Sequence, residues 1–433
     1  MYEVSRLRTL TVGRLRLSAD EPLRDPDLRR CWVGETAAML GAQVSVQALP
    51  LAAVLVLQAT PIELGILRAA TFVPFLLVTL PAGAWIDRVR RRPIILATNL
   101  GRGAILAIVP LAALAGILSL PLLIAVAVLV GVLTVLFEVA YLAYLPSLVP
   151  AERIGPANAR LQASGSVAQI GGPGLAGLLV GVVGAPIAIA VDAASLAIAG
   201  LAVSRIQRPE PPPPFAAGVP LRRAVGEGLR YVLGQPMLRG LAAEAAMFNL
   251  FWNGAQVAFL LFATGNLGYS ATTLGFLYSL AGVGALVGSL SITAIQRRLR
   301  YGQALWRAMV LGTLPFVGLG LAGPGPVGFL AAAASLIVGS FGVGAAVVMA
   351  VTLRQSAIPS DLLGRAQATY RLLTYGAIPV GAILGGVLVD AIGAQSAVIA
   401  CTLGVAVAPI WIFLSPLPRL RTLADAVTAL AAR

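Results

Sequence analysis

Long apolar runs cut by short polar breaks make up almost the whole chain, and the runs recur at the length a lipid bilayer demands. A hydrocarbon core about 30 Å thick needs roughly 20 apolar residues per helix. Cutting the runs at Pro, Gly and Arg clusters predicts six spans near residues 31–58, 64–86, 93–115, 121–146, 156–183 and 185–206. Six more fall near 237–264, 271–295, 302–322, 325–353, 363–390 and 394–415. Between the two sets, Pro211, Pro212, Pro213 and Pro214 precede an amphipathic stretch from Leu221 to Gln235 that carries Arg222, Arg223, Glu227 and Arg230. Prolines stiffen a spacer, and a basic amphipathic helix lies in a membrane surface. The expected organisation is a basic tail over 1–30, a bundle over 31–207, a linker over 208–236, a second bundle over 237–415 and a tail over 416–433. The fold class is therefore an all-α membrane protein of twelve transmembrane helices in two pseudo-symmetric six-helix bundles.

The symmetry rests on a repeat. An offset of 209 residues carries Arg30 to Arg239, Glu35 to Glu244, Gln47 to Gln256 and Arg88 to Arg297. The same shift carries Pro150 to Pro359, Glu152 to Asp361, Gly155 to Gly364, Gly172 to Gly381, Gly177 to Gly386 and Gly184 to Gly393. Charged residues are scarce here, so their alignment without a gap argues for two homologous halves. Parallel halves of this kind place a substrate path between them, near the bilayer midplane.

Composition agrees: of 433 residues 58% are hydrophobic and 11% charged, and the mean hydropathy is +0.91. A formal charge of +14 would point to nucleic acid in a water-soluble domain, but the arginines occupy alternate connections. They fill the first thirty residues, then Arg88 to Arg92, Arg153 and Arg160, Arg205 to Arg239, Arg297 to Arg300, Arg354 and Arg365, and Arg419 and Arg421. The connections near 60–63 and 116–121 have none. This positive-inside pattern predicts a multi-pass protein with both termini in the cytoplasm and no nucleic-acid partner. Basic residues that are all arginine, beside abundant Ala and Gly, suggest a bacterial source and hence a bacterial cytoplasmic (inner) membrane. No cleavable signal sequence is visible, so the first span is expected to direct insertion. Cys31 and Cys401 lie far apart and there is no histidine, so neither a metal site nor a disulfide framework is expected.

After the second span stands Gly83-Ala84-Trp85-Ile86-Asp87-Arg88-Val89-Arg90-Arg91-Arg92. An acid at a helix end beside a basic cluster can lock a gate through charges that another conformation must break. The run resembles the loop signature of the major facilitator superfamily. The resemblance implies that Gly83, Asp87, Arg88, Arg91 and Arg92 brace one closed state, and Gln296 stands where the second copy would need its Asp. In the fifth span, Gly172, Pro173 and Gly177 resemble the glycine-proline signature of proton-coupled exporters, with Ala176 in place of one glycine. Close packing of small residues explains the same run equally well. The segment from Tyr144 to Gly177 is similar to the enterobactin-exporter and macrolide-efflux branch of the superfamily.

Ionisable residues inside spans are costly and hence candidates for function. Glu138 and Arg102 sit at similar depth in the fourth and third spans. They suit either a proton site with its counter-ion or a permanent structural pair. Glu35 and Glu244 lie nearer the cytoplasmic helix ends as gating residues, while Arg68 and Arg371 could bind an anionic group or extend to the interface. Gln43 and Gln47, then Asn249, Asn253 and Gln256, and Tyr141 beside Glu138 recur at helical spacing and mark candidate cavity faces. Together with the resemblance, these features predict a secondary active transporter, a monomer without cofactor, exporting a drug-like compound, antibiotic or siderophore against protons. Nutrient import and a non-transporting sensor or assembly role are the other classes the sequence leaves open. An enzyme is not expected, since no metal-ligand cluster or phosphate loop is visible.

Overall fold

In lipid every backbone N–H and C=O must be paired within its own segment, so long apolar runs become helices. The computed structural model describes residues 25–86, 88–148, 151–210, 221–425 and 427. Six helices form the first half: α1 Pro26–Leu51, α2 Pro61–Ile86, α3 Arg91–Leu114, α4 Leu120–Leu148, α5 Ala151–Val183 and α6 Ala185–Ser204. A surface helix, α7 Leu221–Gly234, leads to α8 Pro236–Leu261, α9 Ala271–Arg298, α10 Tyr301–Leu311, α11 Gly325–Ala357, α12 Ser360–Ile392, α13 Ala394–Val407 and α14 Ile410–Phe413. Apolar side chains as large as Leu77, Leu111 and Val182 stay exposed on the outside, as a lipid-facing surface requires.

Helix starts follow local chemistry. Asp25 accepts from the backbone N–H groups of Asp27 and Leu28 at 2.9 and 3.2 Å, capping α1 five residues before the predicted span. The basic tail is thus shorter than expected at its C-terminal end, and its first 24 residues lie outside the described set. Ser270 caps α9 through Thr273 N–H at 3.1 Å. Pro211 to Pro214 likewise lie outside the described residues. Beyond them α7 lies on α12, with Glu227 bonded to Arg365.

Among the described residues, eleven helices are long and apolar enough to cross a membrane. The ninth predicted span, 302–322, differs: α10 ends at Leu311 and a 3-10 turn covers Leu314–Leu319. Pro315 has no N–H to continue the ladder. Gly342 of α11 packs against the buried backbone of Gly312, and Gly339 against the Phe316 ring, so the two pieces together complete the twelfth crossing.

The halves meet along two seams, α5 against α9 and α2 against α12. A Cβ on Gly177 would lie 2.4 Å from the Ala271 carbonyl oxygen, and one on Gly275 would lie 2.4 Å from that of Pro173. A Cβ on Gly386 would lie 2.4 Å from the Pro61 oxygen, and one on Gly65 would lie 2.6 Å from that of Ala382. The seams are copies of each other. Gly177 and Gly386 keep the 209 offset, but Pro61 with Ala271 and Gly65 with Gly275 are 210 apart. The repeat therefore slips by one residue through α2 and α9, and the gapless alignment expected from the charged positions does not hold there. Both seams lie at the helix ends away from the Arg-rich loops. Toward the Arg-rich end, Gly83, Gly155 and Gly364 have no neighbour among the described residues within 4 Å of a Cβ position.

Candidate functional site

The fifth-span glycine-proline run forms the α5–α9 seam. Gly172 packs on the Gln43 stem of α1. Gly174 N–H donates to Ser279 Oγ at 2.8 Å, and Thr272 Oγ1 donates to the Gly177 carbonyl at 3.2 Å. Small residues here let two backbones touch, so that the Ser279 and Thr272 hydroxyls of α9 reach the α5 backbone across the halves.

Beneath the closed end lies a cavity of about 320 Å³, within the range of drug-sized ligand sites. Its walls come from α1 to α4 and α6 of the first half and from α8 of the second, mostly apolar, with Leu49, Leu67, Phe72, Phe75, Leu106 and Leu260 among them. Its polar lining is Ser45, Arg68, Thr71, Arg102, Thr134, Asp192 and Gln256. Arg68 crosses between the halves, its Nε donating to Asn253 Oδ1 at 3.1 Å and Nη2 to Gln256 Oε1 at 2.6 Å.

Of the residues assigned to the cavity from sequence, Gln256 lines it and Asn253 backs it through Arg68. Asn249 donates instead to the Thr374 carbonyl at 3.1 Å, tying α8 to α12. On α1 the lining is Ala38, Ala42, Ser45, Val46 and Leu49. Gln43 and Gln47 are on a neighbouring face, because Gln43 is held against Gly172. Tyr141 lines a small separate pocket with Glu35, Cys31 and Asn99.

Glu138 does not pair with Arg102. Its Oε2 accepts from Nη2 of Arg371 at 2.9 Å, an ion pair between α4 and α12 and so between the halves, with each side chain more than a third exposed. Arg371 also sits 5.2 Å from the Tyr375 ring centroid. Arg102 is turned toward its own half: Nη2 donates to Asn99 Oδ1 and the guanidinium lies 4.4 Å from the Phe137 ring centroid. It remains within electrostatic reach of Glu35, Asp192 and Glu138. Asp192 was missed by the sequence reading. It is 3% exposed, accepts from Ser195 Oγ at 3.3 Å and faces the cavity. The signal was an acid alone in the apolar run 185–204, the kind of position that marks a functional site. Its repeat partner is Cys401, so symmetry gave no help.

In the Arg-rich loop, Asp87 lies outside the described residues, and Arg88 is exposed. The backbone N–H groups of Arg91 and Arg92 donate to the Glu210 carboxylate at 2.7 and 3.0 Å, capping α3. The Arg92 guanidinium donates to the Ser204 carbonyl at 2.9 Å. These bonds tie the first half to itself and to the start of the linker. Glu244 is buried on α8, within electrostatic reach of Tyr370, over which Arg354 stacks at 3.9 Å. Among the described residues there is no cluster of acidic residues and cysteines that could hold a metal ion.

A cavity between two helical halves, sealed at one end, is transporter architecture, and comparison with known proteins agrees. The chain is 28% identical over 351 residues to the multidrug efflux pump Tap of Mycolicibacterium fortuitum, covering 79% of this chain and 84% of that one. It is 27% identical over 344 residues to the enterobactin exporter EntS of Shigella dysenteriae, covering 76% and 80%. Its fold matches the crystal structure of a bacterial homologue of the iron transporter ferroportin in an inward-facing state, at TM-score 0.72 and 17% identity over 90% and 99% of the two chains. The family profile described as transmembrane secretion effector matches residues 17–430. This chain, a multi-pass membrane transporter of small molecules and not an enzyme, belongs to that branch, MFS_3, of the major facilitator superfamily.

Proposed function

We propose that the protein exports an amphipathic drug-like compound, antibiotic or siderophore across a bacterial cytoplasmic membrane, exchanging it for protons by alternating access. The observation that carries this reading is a cavity shared by the halves, sealed at the Arg-poor end by two glycine seams, with the Glu138–Arg371 pair lying across the halves toward the other end. Arg-rich loops face the cytoplasm, so this conformer is closed to the outside and loads from within. Export accords with the two relatives, a multidrug pump and a siderophore exporter.

Glu138 is the proposed proton site. Protonation removes its charge and releases Arg371, so the contact between α4 and α12 weakens and the halves can rock. Deprotonation restores the pair, and Arg102 offers the carboxylate a second cation once the halves separate. Coupling then follows because proton and substrate bind with different affinity in the two states. The test is accumulation of a drug and siderophore panel in cells lacking their main efflux pumps, with and without the protein and with a protonophore. Lowered accumulation that the protonophore reverses is expected; raised or unchanged accumulation across the panel would refute export.

A further inference from the structure

Among the described residues, Arg68, Arg102 and Arg371 lie at the cavity or across the halves beside it, and of these three Arg68 alone has no carboxylate. Arg371 has Glu138. Arg102 has Glu35, Asp192 and Glu138 within reach. Arg68 has only the amide oxygens of Asn253 and Gln256 as bonded partners among the described residues, and the sole ionisable group acting on it is Tyr278. Two of its five N–H donors are thereby used. The cavity's ionisable lining is formally two cations, Arg68 and Arg102, and one carboxylate, Asp192. Arg68 is partly buried; a cation so shielded without a counter-charge is costly, and an anion arriving beside it reduces that cost.

From this we propose that the transported molecule carries an anionic group, a carboxylate, sulfonate, phosphate or ionised catechol, which docks on Arg68. The inference rests on the reading of the cavity as the substrate chamber. Guanidinium geometry favours such planar or forked oxygens through paired N–H donors. The two amides orient the group by holding Nε and one Nη, so the free donors present a fixed edge. Phe72, Phe75, Leu67 and Leu106 then receive the apolar body of the molecule. Because Arg68 comes from α2 and its amide partners from α8, an anion that draws the guanidinium away competes with a bond between the halves. Substrate binding thereby loosens one inter-half contact.

The experiment uses two dyes of one skeleton. 1-Anilinonaphthalene-8-sulfonate carries a sulfonate, and N-phenyl-1-naphthylamine lacks it. Each is titrated into the full-length protein in lipid nanodiscs, and the signal of protein-free nanodiscs is subtracted. In the wild type the sulfonate dye is expected to bind saturably and tighter than the neutral one. Arg68→Gln should weaken the sulfonate dye at least tenfold, about 1.4 kcal/mol, while changing the neutral dye less than twofold. Arg68→Lys should recover part of the loss. Should Arg68→Gln not fold, the wild type still decides, because naphthalene-1-sulfonate must then displace the bound dye far better than naphthalene does. Equal loss of both dyes in a folded Arg68→Gln protein, an unchanged ratio, no saturable binding of the sulfonate dye to the wild type, or equal displacement would each overturn the proposal. No gradient or flux enters the assay, so failure of proton-driven export leaves this result separately readable.

Discussion

Replacing Gly177 by alanine tests whether the glycine seam holds one end of the transporter shut. The added Cβ would lie 2.4 Å from the Ala271 carbonyl oxygen and 2.9 Å from the Gly275 Cα, both backbone atoms of α9. Ordinary contact begins near 3.4 Å, so the methyl needs about 1 Å that no rotamer can supply. Two packed helices must separate instead. Overfilling a packed contact costs roughly 1–3 kcal/mol, and a conformer in which this end is open does not bear that cost. The open-to-closed ratio should then rise roughly 5- to 150-fold, at tenfold per 1.4 kcal/mol. Spin labels on cysteines placed at exposed Ala115 and Val327, at the Arg-poor ends of the two halves, read the distance between them. The native Cys31 and Cys401 are buried and can be replaced by alanine. The distribution should gain a longer component in Gly177→Ala and in its counterpart Gly386→Ala, whose Cβ meets the Pro61 oxygen at 2.4 Å. A folded variant with an unchanged distribution would refute the reasoning.

Other substitutions test the fold and the linker. Glu210→Ala removes the acceptor of the Arg91 and Arg92 N–H groups, and a lost helix cap costs about 0.5–2 kcal/mol; faster hydrogen exchange in the first turn of α3 should report it, with α11 unaffected. Gly342→Ala places a methyl against the backbone of Gly312, where neither segment can yield, and should lower the thermal unfolding midpoint in detergent. The same change made at Gly116, which has no neighbour within 4 Å of a Cβ but a φ of +70°, acts only through backbone strain of about 1–2 kcal/mol and should leave the α10–α11 contact intact.

Spans were legible because lipid leaves a helix as the only way to pair the backbone, and the length of each apolar run carries that information. The two-fold repeat was legible through scarce charged residues such as Glu35 with Glu244. Where the reading failed, a third dimension was missing. Glu138 and Arg102 match in depth, but depth along neighbouring helices of one half says nothing about the rotation that turns Glu138 toward Arg371 of the other. Gln43 is one helical step from the lining residue Ala42, and a face drawn from polar spacing alone cannot resolve a 100° turn when apolar side chains form most of the lining. The break after Leu311 follows from Pro315 and from Gly342 packing on Gly312, a pairing of distant segments. Arg91 and Arg92 read as a gate from sequence, which could not show that Glu210, 118 or more residues away at the start of the linker, caps their backbone.

Coupling through Glu138 is the claim on which the account depends most. Purified wild type and Glu138→Gln, each reconstituted in liposomes with an exported compound identified from the panel, are compared under an imposed pH gradient and in gradient-free exchange of labelled for unlabelled compound. The account predicts uphill flux in the wild type, its loss in Glu138→Gln, and exchange retained in both. Uphill, gradient-driven flux at the wild-type rate in Glu138→Gln would contradict it.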